Sequence, residues 1–435
     1  MNWVCATCGT EVPVTVPLSW RCPAAGDDRR HVLHLRTSAG EVRDVEDDPN
    51  PFLAFRRRLA WDQFADGLGL SDVARAELVR SLDADISRVA ETGFRATPYA
   101  RQDALSDALG FSDAGGVWVK DETRNVAGSH KARHVMTELL HLVALERAGR
   151  APWRERPDLA IASCGNAAFA ASTLARAVGW PISVFVPDTV DSALVDLITS
   201  VGGRVVRCPR REDDGPGDPT VRQFREAVAS GAVPFGVQGT ENAWCLDGGR
   251  TIGWEIARDE ERIDAPPLSR VVAQVGGGAF ATNLAWGLFS GGVRPRLHAV
   301  QTSSCAPLVR AWRVASETGG PRNAGRRWEQ CMWPWDNVGE SIADGILDDE
   351  TYDWVGVCDA MVDGGGWPVE VSEQVVVEAY RLAHAATDID VSPTGSSGLA
   401  GVLALRDEIG NDERVAVVFS GIRRPHTPKP VASGA

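Results

Sequence analysis

Short apolar runs alternate with amphipathic stretches along most of the chain. After residue 94, each apolar run leads into a turn rich in glycine or serine, and then into apolar positions at helical spacing. The predicted strands are GVWVKDE (116–122), DLAIAS (158–163), PISVFVP (181–187), GRVVRCP (203–209), RVVAQVG (270–276), RLHAVQT (296–302) and RVAVVFSG (414–421). This alternation predicts an α/β fold with mostly parallel sheets covered by helices.

The part of the chain before residue 95 has a different pattern. Residues 49–94 contain apolar residues at helical spacing, such as Phe52, Phe55 and Leu59, and are predicted to be helical. Residues 1–48 contain short β-like runs and three cysteines, Cys5, Cys8 and Cys22. We therefore expect a small cysteine-containing module at the N-terminus, separate from the α/β part.

Composition narrows the class of protein. The formal net charge of −14 argues against nucleic-acid binding, which needs a basic face. No apolar run is long enough to cross a bilayer, and the start of the chain has no basic and apolar export pattern. Six of the nine cysteines are scattered singly beyond residue 160, which fits free thiols better than a disulfide framework. We expect a cytoplasmic protein that binds neither membranes nor nucleic acids.

Lysine is rare in this sequence, and one lysine stands in the stretch GSHKARH (128–134). Arginine supplies nearly all of the 45 basic residues, and lysine occurs only at Lys120, Lys131 and Lys429. Ser129 is a plausible N-cap, which places Lys131 in the first turn of a helix. The helix dipole and partial burial both disfavour an ammonium there, so the amine is expected to be available as a nucleophile. The alternative is an ordinary helix lysine whose charged end reaches solvent.

Three further turns lead into helices, and the first two follow a predicted strand, where α/β proteins bind ligands. The turn SCGN (163–166) offers backbone amides, a hydroxyl and a side-chain amide to a carboxylate-sized anion. Three glycines at 276–278 suit a phosphate at a helix N-terminus. The stretch DVSPTGSSGLAG (390–401) places Thr394 or Ser396 where a hydroxyl can meet a ring nitrogen. Each turn taken alone is also an ordinary helix start. Together with an amine they describe pyridoxal phosphate carrying an amino acid.

In their order along the chain, these motifs resemble those of a known family. KDETRNVAGSHKARH, SCGNAAFAAS, GGRTIGWEIA, VGGGAFATN, SIADGI and SPTGSSGLAG are similar to segments of the fold type II (tryptophan synthase beta-like) pyridoxal-phosphate enzymes, in the threonine synthase and threonine/serine dehydratase group. The resemblance covers about residues 95–422. It implies two mostly parallel α/β domains with the cofactor between them, and a homodimer. The domains expected are a zinc-ribbon-like module (1–48), a larger cofactor-binding domain (49–134 and 244–425), a smaller domain (135–243) and a disordered tail (426–435).

The resemblance also implies a role for each matching residue. Lys131 would hold the cofactor aldehyde as a Schiff base and later move the substrate α-proton. The other implied contacts are His130 beside the phosphate; Asn166 at the ring hydroxyl; Ser163, Cys164, Gly165 and Asn166 at the substrate carboxylate; Gly276, Gly277, Gly278 and Ala279 at the phosphate; and Thr394 at the pyridine nitrogen. A neutral hydroxyl at that nitrogen would leave the ring unprotonated, which suits elimination or replacement at Cβ better than transamination.

The chain departs from the family pattern at several positions. Most members have phenylalanine before the lysine, but this chain has His130, which resembles the histidine of tryptophan synthase beta. Ala132 stands where many threonine synthases have an acidic residue. The head resembles the zinc-ribbon-like start of some threonine synthases, but Ala25 occupies the place of a fourth cysteine. Cys5, Cys8 and Cys22 would then need a histidine, His31 or His34, to complete a zinc site.

The expected activity is a pyridoxal-phosphate-dependent elimination or replacement at Cβ of a small L-amino acid, through an aminoacrylate-type intermediate. Ammonia-lyase (dehydratase) chemistry is favoured by the glycine turn and SIADGI. Threonine synthase acting on O-phosphohomoserine is the alternative, favoured by the cysteine head and Thr394. A β-replacement synthase and a catalytically idle cofactor-binding homologue are further alternatives.

Overall fold

The computed structural model describes residues 1–36, 45–211, 217–424 and 427. The predicted disordered tail, apart from Thr427, lies outside the described residues, as do residues 37–44 of the expected N-terminal module. Over the described ranges, none of the helices is both long and apolar enough to cross a membrane.

The elements are numbered in chain order. The strands are β1 (Asn2–Cys5), β2 (Glu11–Pro13), β3 (Leu33–Arg36), β4 (Tyr99–Arg101), β5 (Gly116–Asp121), β6 (Leu159–Ala162), β7 (Ile182–Pro187), β8 (Arg204–Cys208), β9 (Val233–Pro234), β10 (Leu268–Gln274), β11 (Arg296–Thr302), β12 (Pro368–Val371) and β13 (Arg414–Phe419). The α-helices are α1 (Pro51–Ala54), α2 (Ala60–Gly67), α3 (Asp72–Ala90), α4 (Asp103–Ala108), α5 (Lys131–Arg147), α6 (Asn166–Ala177), α7 (Ser192–Ser200), α8 (Pro219–Ala229), α9 (Cys245–Gly248), α10 (Arg250–Glu260), α11 (Ala279–Ser290), α12 (Pro307–Glu317), α13 (Trp328–Cys331), α14 (Trp354–Gly364), α15 (Glu373–Ala386) and α16 (Pro393–Ala404). Short 3-10 turns cover Arg56–Arg58, Glu122–Arg124, Val126–Gly128, Ala324–Arg327, Asp344–Ile346 and Arg406–Glu408.

The predicted α/β fold class is confirmed, and each of the seven predicted strands is present within a few residues of its predicted bounds. The pattern missed β4, β9 and β12, which have two to four residues each and carry too few apolar positions to show a period. The chain divides into two compact units. The first contains residues 1–5, 9–96 and 125–249, and the second contains residues 6–8, 97–124 and 250–435. The domain boundaries expected from the sequence stay a prediction.

In the first unit, the N-terminal strands form an antiparallel sheet in the order β2-β1-β3. Trp3 projects from the buried face of β1 and meets Trp244 edge to face, with ring centroids 5.3 Å apart. His141 of α5 packs against Trp244 at 4.0 Å and stacks on Phe64 at 4.1 Å. The N–H of Leu18 donates to His141 Nε2 over 3.2 Å. This aromatic cluster fixes the N-terminal sheet on the helix that begins at Lys131.

The first unit also contains a parallel sheet in the order β8-β7-β6-β9. Helix α6 packs against α5, and its small residues Ala168, Ala170 and Ala171 are fully buried. Because alanine leaves little side-chain bulk, these two helices approach closely, which brings the start of α6 near the segment that precedes α5. The turn Val126–Gly128 is in contact with α6.

The second unit is built on a sheet in the order β12-β11-β10-β13-β5-β4. Its neighbouring strands are parallel except for β4, which pairs antiparallel with β5 at one edge. Both faces are covered by helices, so central strands such as β13 are buried at every position. The C-terminal ends of β10 and β13 are therefore buried between helices, and the loops that follow them begin at this fixed edge of the sheet.

Helices α10 and α11 of the second unit pack backbone to backbone through two glycines. A Cβ at Gly253 would lie 2.4 Å from the Leu284 carbonyl oxygen and 2.5 Å from the Leu288 nitrogen. A Cβ at Gly287 would lie 2.2 Å from the Arg250 carbonyl oxygen. Since no side chain fits at either position, these glycines determine how closely α10 approaches α11. Helix α11 follows the three-glycine turn, so this contact also positions that turn.

Lys120, one of the three lysines, is fully buried in the second unit. Its Nζ lies 2.6 Å from Glu255 Oε2 and donates to the Thr97 carbonyl oxygen, also over 2.6 Å. Glu255 of α10 is fully buried as well and accepts the Thr97 N–H over 3.1 Å. A buried charge needs a partner, because removing one member of such a pair leaves the other unpaired in a low-dielectric interior. The lysine here has a structural function, so scarcity alone does not distinguish a catalytic lysine from a structural one.

Replacing Gly253 by alanine is expected to lower the free energy of unfolding by about 2 kcal/mol, because the added methyl group forces two backbones apart. Urea unfolding followed by tryptophan fluorescence measures the change. Gly410→Ala is the matched control, since the nearest atom to its added Cβ lies 3.6 Å away in an exposed turn. A Gly253→Ala protein as stable as the Gly410→Ala protein would contradict the close packing of α10 on α11.

Lys120→Met is expected to lower the free energy of unfolding by about 3 kcal/mol or more, because Glu255 is left as an unpaired buried carboxylate. The double variant Lys120→Met with Glu255→Gln removes that charge and keeps an acceptor for the Thr97 N–H. It should therefore recover most of the lost free energy of unfolding. The same urea titration measures both. If the single variant is the more stable of the two, the two side chains do not form the buried pair.

Candidate functional site

Lys131 is the first residue of α5, as predicted. The buried side chain of Asn125 holds the preceding turn, because its Oδ1 accepts the Val126 N–H over 2.8 Å and its Nδ2 donates to the Ser129 carbonyl oxygen over 3.3 Å. The prediction of Ser129 as N-cap is wrong. His130 is already helical, and the Ser129 Oγ is buried without a hydrogen-bond partner in the described part of the chain. Lys131 itself is half-buried at the helix start.

Two imidazole rings lie beside Lys131 on the same helix turn. The rings of His130 and His134 meet edge to face, with centroids 5.6 Å apart. Burial, together with the positive charge of Lys131, lowers the pKa of His134 to about 3, so this ring is neutral at pH 7. His134 Nδ1 lies 2.9 Å from the Cys245 carbonyl oxygen. Since a carbonyl only accepts, the proton is on Nδ1 and the Nε2 lone pair is an acceptor. Sequence reasoning missed His134, although its position one turn after Lys131 was visible.

The turn SCGN connects β6 to α6 in the same unit. Ser163, Cys164, Gly165 and Asn166 are all half-buried, and Asn166 is the first residue of α6. The Gly165 N–H donates to Ser163 Oγ over 3.4 Å, and no described atom lies within 4 Å of where a Gly165 Cβ would be. The turn is therefore open at the N-terminus of a twelve-residue helix, where backbone N–H groups attract an anion.

The three-glycine turn connects β10 to α11 in the second unit, as predicted. Gly278 has φ of +95°, which favours glycine, and Gly276 leaves room for a neighbouring segment. A Cβ at Gly276 would lie 2.4 Å from Asp348 Oδ2 and 3.0 Å from the Ile346 Cα. The Asp353 N–H donates to the Gly277 carbonyl oxygen over 2.7 Å. Gly278 is thus required by its backbone conformation and Gly276 by packing against residues 346–348, and a carboxylate flanks the turn.

Thr394 lies in the first turn of α16, also in the second unit. Its Oγ1 accepts the Gly345 N–H over 3.1 Å and lies 3.3 Å from Asp344 Oδ1, to which the hydroxyl donates. Asp344 and Gly345 belong to the SIADGI motif, so two separately noted motifs meet here. Ser396, the other hydroxyl considered from the sequence, is buried and donates to the Pro393 carbonyl oxygen of its own helix. Thr394 is therefore the more accessible of the two.

Gln274 links the glycine turn to the Thr394 segment, and sequence reasoning did not identify it. It is the last residue of β10, two positions before Gly276. Its buried Nε2 lies 3.1 Å from the Thr394 carbonyl oxygen, 2.9 Å from that of Gly395 and 2.7 Å from Ser420 Oγ. A polar residue directly after the apolar run Val271–Ala273, at the C-terminal end of β10, was the signal in the sequence. Gln274 holds the start of α16 against the end of β10.

The N-terminal cysteines lie close together. The ligand atoms of Cys5, Cys8, Cys22 and His31 all lie within 4.8 Å of one another. His34, the other histidine considered, lies in β3 outside this group, and burial lowers its pKa to about 4. Of the two histidines left open by the sequence, His31 is the one that the fold places beside the cysteines.

Each unit, taken by itself, has groups that suit a part of pyridoxal phosphate. The first unit supplies an amine at a helix start, a buried Ser129 hydroxyl with unused hydrogen-bonding capacity among the described residues, and an open turn at the start of α6. The second unit supplies a glycine turn at the start of α11 and an accessible hydroxyl on Thr394. The groups of the first unit match an aldehyde and a carboxylate, and those of the second unit match a phosphate and a ring nitrogen.

Comparisons with known proteins show which proteins this chain is similar to. Serine racemase of Arabidopsis thaliana is 26% identical over 74% of this chain and 86% of its own length. Threonine synthase of Methanocaldococcus jannaschii is 24% identical over 78% of this chain and 76% of its own length. A solved structure of threonine deaminase isoform 2 from Solanum lycopersicum has a TM-score of 0.59 at 18% identity, covering 82% of this chain and 86% of that one, and shares the fold. The family model of pyridoxal-phosphate dependent enzymes matches residues 90–421. The chain belongs to the pyridoxal-phosphate dependent enzyme family.

Proposed function

We propose that this enzyme eliminates the β-hydroxyl group and the amino group of a small L-amino acid, as an ammonia-lyase does for L-threonine or L-serine. The observation that carries the proposal is the arrangement in the first unit. Lys131 opens α5, and the turn just before it contacts α6, whose first residue is Asn166. An amine and an anion-binding turn are thus held by two packed helices.

Lys131 would hold the cofactor and move the α-proton. When bound, pyridoxal phosphate supplies an aldehyde for the substrate amino group and a ring that withdraws electrons from Cα. His134, neutral one helical turn away, adds no positive charge beside the Lys131 amine. Since a lysine amine must be uncharged to accept a proton, its position at the positive end of α5 favours this role.

The substrate carboxylate would bind at the SCGN turn. Ser163, Cys164, Gly165 and Asn166 offer backbone N–H groups at the start of α6, and Gly165 leaves the space open. Asn166 would also reach the ring hydroxyl. Holding the carboxylate there fixes which substituent of Cα faces the Lys131 amine, and so which proton leaves.

The phosphate would bind at Gly276, Gly277, Gly278 and Ala279, with His130 beside it. Successive backbone N–H groups at the start of the twelve-residue α11 suit a phosphate group. The Asp348 carboxylate next to Gly276 opposes a dianion, so its side chain must turn away or stay paired when phosphate binds. This carboxylate is a feature that the sequence motif did not reveal.

The Thr394 hydroxyl would face the pyridine nitrogen. Its single proton is directed at Asp344 and one lone pair accepts the Gly345 N–H, so the remaining lone pair can only accept. Thr394 would donate to an unprotonated ring nitrogen only after releasing Asp344. If the hydroxyl proton stays directed at Asp344, Thr394 can only accept a hydrogen bond from a protonated ring nitrogen. If the proton turns to the nitrogen, the ring is unprotonated, as expected from the sequence.

Threonine synthase activity on O-phosphohomoserine is the second candidate. It is favoured by the relative from Methanocaldococcus jannaschii and by the clustered N-terminal cysteines. The proposal further includes a homodimer, which the family resemblance implies, in the reducing environment of the cytoplasm, where the nine cysteines, none of them in a disulfide, would stay reduced. Light scattering of the purified enzyme measures the oligomer.

A substrate panel tests the proposed reaction. L-Threonine, L-serine, O-phosphohomoserine and O-acetylserine are each incubated with the enzyme loaded with pyridoxal phosphate, while 2-oxo acid, ammonium, phosphate and D-serine are measured. We expect 2-oxo acid and ammonium in equal amounts from L-threonine or L-serine. Threonine and phosphate from O-phosphohomoserine without 2-oxo acid would support the second candidate instead. D-Serine as the only product would indicate a racemase.

Lys131→Ala is expected to abolish the visible absorbance of the bound cofactor and to lower turnover at least about a thousandfold, because the amine is lost. Absorbance spectra and initial rates measure both effects. Arg147→Ala, at the exposed end of the same helix, is the matched control and should keep both properties. Turnover that survives Lys131→Ala would rule out this mechanism.

A further inference from the structure

The four clustered side chains of the N-terminal module form a set of metal ligands. Cys5 ends β1, Cys8 lies in the turn that follows, Cys22 lies in the next loop, and His31 precedes β3. Their ligand atoms lie within 4.8 Å of one another. We propose that they bind one zinc ion as a tetrahedral Cys₃His site. The proposal concerns residues outside the family match at 90–421 and is independent of the proposed reaction.

The spacing of the donor atoms matches a zinc ion. Zinc binds a thiolate sulfur at about 2.3 Å and an imidazole nitrogen at about 2.0 Å, which places the two donors about 3.5 Å apart in a tetrahedron. Cys5 Sγ and His31 Nδ1 lie 3.3 Å apart. Three soft thiolates and one imidazole favour zinc over magnesium or calcium, which prefer oxygen ligands.

The backbone holds the cysteines in place. The Gly9 N–H donates to the Cys5 carbonyl oxygen over 2.9 Å, which closes the turn that carries Cys8. Gly9 itself has φ of +77°, so a glycine is required to complete this turn. A second turn follows Cys22, where the Ala25 N–H donates to the Cys22 carbonyl oxygen over 3.1 Å. Two short turns thus present their sulfurs to the same point.

His31 takes the place of the fourth cysteine that Ala25 does not supply. With Nδ1 directed at the cluster, its Nε2 lies 3.8 Å from Asp28 Oδ2. A carboxylate near the far nitrogen of a metal-bound histidine fixes the orientation of the ring and makes the ring a stronger ligand. Although 3.8 Å is longer than a hydrogen bond, Asp28 is the carboxylate that the structure places at this nitrogen, and we assign it as a positioning residue for His31.

The site would be structural. All four tetrahedral positions are taken by protein atoms, which leaves none for a water molecule or a substrate. The strands of this module have three or four residues each, so the sheet is small and depends on its packing against α5 and on further links between its loops. A metal ion joining the β1–β2 turn to the loop before β3 would supply the missing stability.

Metal analysis of the purified enzyme tests the proposal. Protein expressed with zinc and purified under reducing conditions should contain about one zinc ion per chain, as four ligands at one point require. Inductively coupled plasma mass spectrometry measures the content. Zinc far below one per chain in folded enzyme, or a disulfide between two of the three cysteines, would overturn the proposal.

Variants of His31 identify the fourth ligand. His31→Ala should lose most of the zinc, whereas His31→Cys should keep it, because a fourth thiolate restores the set. His34→Gln is the matched control and should keep zinc. Asp28→Asn should weaken zinc binding about tenfold or more. A His31→Ala protein that binds zinc as tightly as the parent enzyme would overturn the assignment.

Cobalt substitution distinguishes loss of the ligand from loss of folding. Cobalt(II) in the parent enzyme should give the intense visible bands of a tetrahedral site and sulfur-to-cobalt charge-transfer bands in the near ultraviolet. The His31→Cys protein should give shifted bands of four-thiolate type. Weak octahedral bands in the folded parent enzyme would overturn the tetrahedral Cys₃His assignment.

Discussion

The close contact between α10 and α11 is the constraint on which much of the second unit depends. Gly253 and Gly287 let the two helix backbones meet, and this contact fixes where α11 begins. The three-glycine turn is the connection between β10 and α11, so its position follows from both. Glu255 on α10 adds the buried pair with Lys120, which ties the same helix to β5. Helix α10 thus constrains the position of the predicted phosphate turn in two ways, through its glycine contact with α11 and through its buried ion pair with β5.

The lysines show why residue scarcity was only a partial guide. Arginine serves as the cation almost everywhere, yet Lys120 and Lys131 have different surroundings. Lys120 is fully buried against a carboxylate, which suits a compact ammonium in a structural pair. Lys131 stands half-buried at a helix start beside a neutral imidazole. The position in the element, which the sequence revealed, separated the two lysines better than their rarity did.

Local pattern predicted the strands, the turns and the start of α5, because period and turn chemistry are properties of neighbouring residues. It missed contacts between residues far apart in the chain. Gln274 meets the Thr394 segment more than a hundred positions away, and Asp348 flanks Gly276. The choice between His31 and His34 likewise depended on the packing of a loop. The Ser129 cap was wrong because His130 is already helical, and the Arg133 N–H donates to the His130 carbonyl oxygen over 3.1 Å.

The central claim is that Lys131 holds the cofactor, and the scarcity of lysine allows a direct test. Enzyme loaded with pyridoxal phosphate is reduced with borohydride and digested, and the modified peptide is identified by mass spectrometry. The account predicts a single phosphopyridoxyl group on Lys131. A group on Lys120 or Lys429 instead, or an unmodified Lys131 in enzyme that was active before reduction, would contradict it.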